Sequence, residues 1–128
     1  AGGESRMHRR GFWQACNDNI LDIAMPDVTI VGGICELKKV AAMAEARGIR
    51  TAPHGPFGPV TTASSVHAMA AHPAFAILEY AWGEVPWRPT LTLPNEKISN
   101  GRITLPQTPG LGIELDEKIV AAHRIAIT

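Results

Sequence analysis

The chain has 128 residues, of which 45% are hydrophobic and 19% charged, and twelve basic side chains balance twelve acidic ones. That length suffices for one domain with a modest core, and a net charge of zero provides no field to attract nucleic acid or an anionic membrane. No apolar run approaches the ~20 residues that span a bilayer, and no signal-peptide pattern opens the chain. We therefore expect a cytoplasmic globular domain with neither nucleic acid nor membrane as a partner.

Apolar side chains recur with helical spacing in three segments, and short apolar runs separate them. The predicted helices are 7–17, 34–47 and 61–71. The predicted strands are 20–25, 49–52 and 74–78. Strands that alternate with helices indicate parallel strands joined by crossover helices, and therefore an α/β protein.

The repeating strand–helix unit is about 25 residues long. A complete eight-stranded barrel takes ~250 residues, so this chain accounts for about three strands and part of a fourth. From Gly83 onward, prolines separate short extended pieces, and a hairpin turn is predicted at 99–101 between Ile98 and Ile103. We therefore divide the chain into a barrel part, 1–82, and a wrapping segment, 83–128.

Four side chains suited to chemistry follow or close the successive strands. They are Glu4, Asp27, His54 and Glu79. Taken singly, each has an ordinary structural explanation: a solvated terminal acid, a turn residue, a loop histidine and a strand cap. Because parallel barrels bring the C-terminal ends of their strands to one mouth, their recurrence in register favours a shared active site.

The motifs around these residues are distinctive together. They are Gly3-Glu4-Ser5, Met25-Pro26-Asp27-Val28 with Gly32-Gly33, Ala52-Pro53-His54-Gly55, Leu78-Glu79-Tyr80, and Leu105-Pro106 with Pro109-Gly110-Leu111-Gly112. In this order and spacing the chain resembles the mandelate-racemase subgroup of the enolase superfamily. The resemblance implies the C-terminal part of a (β/α)7β TIM-like barrel, from the end of strand five through strand eight. It also implies that the tail packs on an N-terminal capping domain not present in this chain.

The resemblance assigns a role to each residue. Glu4 matches the third carboxylate ligand of the essential Mg²⁺, whose other two ligands belong to strands outside this chain. Asp27 and His54 match the catalytic acid/base dyad. Glu79 matches the acid at the end of strand eight, which contacts the substrate carboxylate and can donate toward it. Trp87 is expected to edge the substrate pocket or, with equal weight, to pack on the capping domain.

These residue types suit removal of a proton next to a carboxylate. Mg²⁺ prefers oxygen ligands and stabilises the enediolate that forms. Imidazole titrates near neutrality, and a carboxylate partner fixes its tautomer. We therefore expect a carboxylate oxygen of Asp27 to face Nδ1 of His54, and Glu4 to face the same cavity as His54.

Two loops narrow the substrate class. The loop 54–59 and the run 84–87 resemble loops of galactonate and gluconate dehydratases. The predicted function is Mg²⁺-dependent dehydration of such a sugar acid, a small-molecule substrate, by a protein that is a homo-oligomer when full length. Two alternatives remain: a racemase or epimerase with the same dyad, which would need a second base outside this chain, and an inactive piece of a longer enzyme.

The remaining candidate side chains have structural explanations. Cys16 and Cys35 form no metal-binding pattern, and we expect both to be reduced and buried. His67, His72 and His123 lie in or beside predicted helices, where a surface or core position is expected.

Overall fold

The computed structural model describes residues 1–125. Its helices are α1 (His8–Asn17), α2 (Val28–Val31), α3 (Ile34–Glu45), α4 (Pro59–Met69) and α5 (Glu117–Ala122). Its strands are β1 (Ile23–Ala24), β2 (Arg50–Thr51), β3 (Thr92–Leu93), β4 (Ile98–Ser99), β5 (Arg102–Ile103) and β6 (Glu114–Leu115). A 3-10 turn at Arg88–Thr90 precedes β3.

Four extended segments run parallel, side by side and in chain order. β1 pairs with β2, so that Ala24 lies opposite Thr51. Single bridges add Gly2 beside Ala24 on one side and Phe75 beside Thr51 on the other. This arrangement confirms the expected parallel α/β organisation of the barrel part.

The strands are shorter than the apolar runs that predicted them. Ile20 donates its amide to the carbonyl of Ala15, so it still belongs to the turn that ends α1. Pro26 and Pro53 follow β1 and β2 and have no amide hydrogen to donate, which interrupts the ladder. The predicted strand 74–78 is an extended segment with a bridge at Phe75.

Two helices differ from the prediction. α4 begins two residues earlier than expected, because Pro59 suits the first position of a helix. α2 was not predicted at all: it is one short turn, capped at its start by the side chain of Asp27. α1 and α3 agree with the prediction to within two residues.

The core lies between the helices and the outer face of the parallel segments. In α3 the buried side chains follow a helical spacing: Leu37, Val40, Ala41 and Ala44. They pack with Phe12, Cys16 and Ala24, among others, in one apolar cluster. The expectation that both cysteines are buried is wrong for Cys35, which is exposed. Cys35 precedes Leu37 by two residues, which turns it about 200° around the helix, away from the core.

Beyond residue 82 the structure holds antiparallel pairs instead of a further strand–helix unit. β3 pairs with β6. The predicted hairpin is confirmed: β4 pairs with β5, and Asn100 and Gly101 between them have φ values of 51° and 70°. Two such residues form the turn that suits the twist of a two-residue hairpin.

Within residues 1–125, every helix is too short or too polar to cross a membrane.

Candidate active site

Asp27 and His54, the predicted dyad, lie beside each other on neighbouring parallel segments. Asp27 and His54 form a parallel bridge, and the amide of His54 donates to the carbonyl of Pro26 at 3.2 Å. On the other side, the amide of Glu79 donates to the carbonyl of Pro53 at 3.3 Å. The backbone therefore brings three of the four predicted site residues to one edge, where their side chains meet.

Asp27 and His54 form the contact that the sequence predicted. Oδ2 of Asp27 lies 2.7 Å from Nδ1 of His54. The Asp27 side chain is fully buried, whereas the imidazole keeps 21% of its surface exposed. The carboxylate is thus shielded from water while the imidazole remains accessible.

Thr29 holds the second oxygen of the Asp27 carboxylate. The amide of Thr29 donates to Oδ1 at 2.7 Å, and its hydroxyl donates to the same oxygen at 2.6 Å. The sequence analysis missed this residue, although an Asp two positions before a Thr at a helix start is a common capping pattern. Because Thr29 occupies Oδ1, Oδ2 is directed at His54.

The environment of Asp27 favours its charged form. Burial raises the pKa of the Asp27 carboxyl, but hydrogen bonds from the Thr29 hydroxyl, from His54 and from the Thr29 amide outweigh burial, and the net pKa lies below its ordinary value. An ionised Asp27 accepts a hydrogen bond from Nδ1–H, so the neutral imidazole carries its lone pair on Nε2.

Glu79 lies on the Nε2 side of the imidazole. Its Oε2 is 3.8 Å from Nε2 of His54 and accepts a hydrogen bond from the amide of Gly55 at 3.0 Å. The Glu79 side chain is 44% exposed. Nε2 of His54 is therefore bordered by a second carboxyl group, which is itself half-exposed.

Gly55 allows the close approach of these two segments. A Cβ atom at this position would overlap the backbone carbonyl oxygen of Glu79 far inside van der Waals distance. The absence of a side chain lets the backbone after His54 lie directly against Glu79.

The structure places Glu4 at the end of the first parallel segment, exposed to solvent. The carbonyl of Gly2, two residues earlier, accepts the amide of Met25 at 2.9 Å, which sets Glu4 near the level of Asp27. Residues 1–125 contain no cluster of three or more His, Cys, Asp or Glu side chains that could hold a metal. The Glu4 carboxylate is a hard oxygen donor of the kind that Mg²⁺ prefers.

The aromatic neighbour of Trp87 is a residue of the wrapping segment. The Trp87 indole stacks on the imidazole of His123, with ring centroids 4.3 Å apart and an interplanar angle of 15°. One face of Trp87 is thus covered by the residue that ends α5. Contact with a substrate would have to use the other face or the edge of the indole.

Phe57 is a neighbour of His54 that the sequence analysis did not single out. Its ring meets the imidazole edge-on, at 6.3 Å between centroids and 82° between planes. Phe57 is 47% exposed. The His54 imidazole therefore has a half-exposed aromatic ring as its neighbour.

Catalytic side chains at the C-terminal ends of parallel strands, with helices packed outside, define the class of β/α-barrel enzymes. Residues 1–119 match the family described as enolase C-terminal domain-like, and the chain belongs to this family. With its parallel segments, the chain corresponds to the C-terminal part of that barrel.

Known proteins resemble nearly the whole chain. It is 33% identical to D-galactarolactone cycloisomerase of Agrobacterium fabrum, covering 98% of this chain and 35% of the relative. It is 34% identical to D-xylonate dehydratase of Haloferax volcanii, covering 96% of this chain and 30% of the relative. A mandelate racemase/muconate lactonizing enzyme from Jannaschia is 35% identical, with a TM-score of 0.89 over 98% of this chain and 32% of that one. Further relatives are named D-gluconate and D-galactonate dehydratases.

The chain therefore spans about a third of the length of the curated relatives that it matches.

Proposed function

We propose that this chain carries the acid/base dyad of an Mg²⁺-dependent sugar-acid dehydratase, with an aldonate such as galactonate or gluconate as substrate. The observation that carries the proposal is the hydrogen bond of 2.7 Å between Asp27 and Nδ1 of His54, which leaves Nε2 free on the side of Glu79. Several relatives are named dehydratases of xylonate, gluconate or galactonate, which supports this substrate class.

In the proposed reaction, Nε2 of His54 removes the α-proton of the sugar acid. The electron pair of the C–H bond moves toward the carboxylate and gives an enediolate, and Asp27 stabilises the imidazolium that forms. The pair then forms the α,β double bond as the β-hydroxyl leaves, protonated by a group outside this chain, as water. The resulting enol becomes a 2-keto-3-deoxy acid.

Glu4 and Glu79 act on the carboxylate side of the substrate. When bound, Mg²⁺ places positive charge where the enediolate develops negative charge. Glu4 would be one ligand of this ion, with the remaining ligands on strands outside this chain. Glu79, in its protonated form, would donate toward a carboxylate oxygen as charge accumulates there.

A racemase or epimerase is the second candidate. It is favoured by the structural neighbour named a mandelate racemase/muconate lactonizing enzyme, and the same dyad could remove an α-proton in either reaction. The cycloisomerase named among the relatives also forms an isomer without net loss of water. Dehydration gives a keto acid, epimerisation gives an epimer and cycloisomerisation gives a rearranged lactone. The products therefore distinguish the three reactions.

The direct test is to incubate the full-length protein with Mg²⁺ and a panel of sugar acids, and to assay for 2-keto-3-deoxy products. We expect a keto product from at least one aldonate. Formation of an epimer or a rearranged lactone without a keto product would contradict the dehydratase proposal and favour the second candidate.

The metal role has its own test. We expect Glu4→Gln to lose the stimulation of turnover by Mg²⁺, because the amide is a much weaker ligand than the carboxylate. Glu117→Gln, which alters an exposed acid in α5, serves as the matched control. Full Mg²⁺-dependent turnover of the Glu4 variant would refute its assignment as a ligand.

A further inference from the structure

A buried ion pair lies outside the acid/base site. Arg88, in the 3-10 turn of the wrapping segment, donates from Nε to Oε2 of Glu96 at 3.1 Å. The two side chains are only 7% and 8% exposed. Burying a charged pair costs desolvation free energy, which is offset when further hydrogen bonds satisfy both groups.

Tyr80 ties this pair to the segment that carries Glu79. The Tyr80 hydroxyl donates to Oε2 of Glu96 at 2.6 Å. The guanidinium of Arg88 lies over the Tyr80 ring, 4.5 Å from its centroid. The ion pair therefore fixes the wrapping segment against the residue that directly follows Glu79.

The other two guanidinium nitrogens of Arg88 reach the barrel part of the chain. Nη2 donates to Oγ1 of Thr62, in α4, at 2.9 Å. Nη1 donates to the backbone carbonyl of Phe57, in the loop between His54 and α4. One side chain thus joins the wrapping segment, the helix and the loop, and all three of its nitrogens have partners.

Phe57 connects Arg88 to His54, the proposed base. The carbonyl of Phe57 is held by Arg88, while the ring of the same residue stands edge-on against the His54 imidazole. The loop is short, so the position of the Phe57 backbone sets where the ring can lie. Arg88 itself forms its hydrogen bonds outside the predicted site.

We propose that Arg88 is a positioning residue: by holding the Phe57 carbonyl it seats the Phe57 ring edge-on against the His54 imidazole. The inference rests on the proposed function for its kinetic consequence, since the base must be held in place to reach the α-proton. A displacement of about 1 Å in such a group can cost 10²-fold in rate.

The test uses two variants of the full-length protein. Arg88→Lys keeps a positive charge near Glu96 but cannot span its four partners, because an ammonium lacks the planar fork of a guanidinium. Phe57→Ala removes the ring and leaves the ion pair intact; since Phe57 is 47% exposed, this variant is expected to fold. Thr92→Val is the control, because it removes a buried hydroxyl of the wrapping segment whose hydrogen bond goes to the Pro94 carbonyl of the same segment.

Two measurements are made on each variant. The first is the ¹⁵N chemical shifts of the His54 imidazole, which report its surroundings whatever the reaction. The second is the division of any kinetic loss between kcat and KM. For Arg88→Lys and Phe57→Ala we expect shifted imidazole signals and a kcat lowered at least about tenfold, with KM within about threefold, as for a misplaced base. Thr92→Val should lower the melting temperature and leave both readings unchanged.

The proposal is overturned if Arg88→Lys and Phe57→Ala leave the His54 signals and kcat as they are in Thr92→Val, because the cluster would then only stabilise the fold. If Arg88→Lys does not fold, Phe57→Ala decides the matter by the same criterion. A wild-type protein without dehydratase activity would refute the proposed function alone, since the imidazole signals would still test the role of Arg88.

Discussion

The two carboxylate oxygens of Asp27 accept hydrogen bonds from different residues. Oδ1 accepts both hydrogen bonds of Thr29 and so caps α2, and Oδ2 accepts from His54. The carboxylate cannot rotate without breaking the bonds to Thr29. The orientation of the imidazole is therefore anchored in the backbone of the following helix.

The lowered pKa of Asp27 predicts a pH dependence of stability. A carboxyl whose pKa is lower in the folded protein stabilises the fold above its unfolded-state pKa, about 3.9. That contribution is lost as the pH falls through the folded-state pKa. We therefore expect the melting temperature of the chain to fall more steeply below about pH 4 than that of Asp27→Asn, which lacks this contribution and is less stable at pH 7.

Asp22→Asn is the control for this titration, because Asp22 is exposed and close in sequence. Its melting temperature should follow the wild-type pH profile. Identical acid profiles for wild type and Asp27→Asn would contradict the account of Asp27.

At the scale of the elements, the site depends on how closely two backbone segments approach. Gly55 lies against the carbonyl of Glu79 without room for a Cβ atom, and its amide donates to the Glu79 side chain. Gly58, in the same loop, has open space around it and an ordinary φ of −71°.

These two glycines make a matched pair. Gly55→Ala should push the segments apart and destabilise the fold by about 1–3 kcal/mol, as overpacking does. Gly58→Ala should change the unfolding free energy by less than about 0.5 kcal/mol, because the lower entropy of the unfolded chain offsets a poorer helix cap. Urea unfolding measures both, and equal effects would contradict the close approach at Gly55.

Some structural elements and contacts could be predicted from the sequence, and others could not. Helical spacing and the Asn-Gly turn specified α1, α3 and the β4–β5 hairpin, because these depend on local pattern. The approach of Asp27 to His54 was expected from their positions at the ends of successive strands and from the resemblance to the mandelate-racemase subgroup. Thr29 could have been predicted from its position after the capping residue Asp27. The partners of Arg88 lie up to 31 residues away, and local periodicity does not encode such contacts.

At the scale of the whole molecule, the last parallel segment exposes apolar side chains to solvent. Exposure alternates along 74–80, so Phe75, Ile77 and Glu79 share a side. Phe75 is 38% exposed and Ile77 67% exposed. Within residues 1–125, the segment of Phe75 pairs only with β2. In a complete barrel this side would face the interior, which is filled by packed side chains.

Ile77→Lys tests this interpretation by comparing two lengths of protein. In the 128-residue chain the change should alter the unfolding free energy by less than about 0.5 kcal/mol, as for other exposed positions. In the full-length protein it should cost about 3 kcal/mol or more, since an unpaired charge would be buried. A similar small effect in both proteins would contradict the interior position of Ile77.

We propose that His54 removes the α-proton of a sugar acid. The most direct measurement is the exchange of that proton in D₂O by the full-length protein with Mg²⁺, followed by NMR of galactonate or gluconate and of the product. In wild type we expect deuterium incorporation or keto-acid formation. In His54→Asn we expect both to fall at least about 10²–10⁴-fold, because a single base is lost, while substrate binding changes little. His67→Asn, which alters a histidine bound to the Leu111 carbonyl, should retain activity. Exchange at the wild-type rate in His54→Asn would contradict the claim.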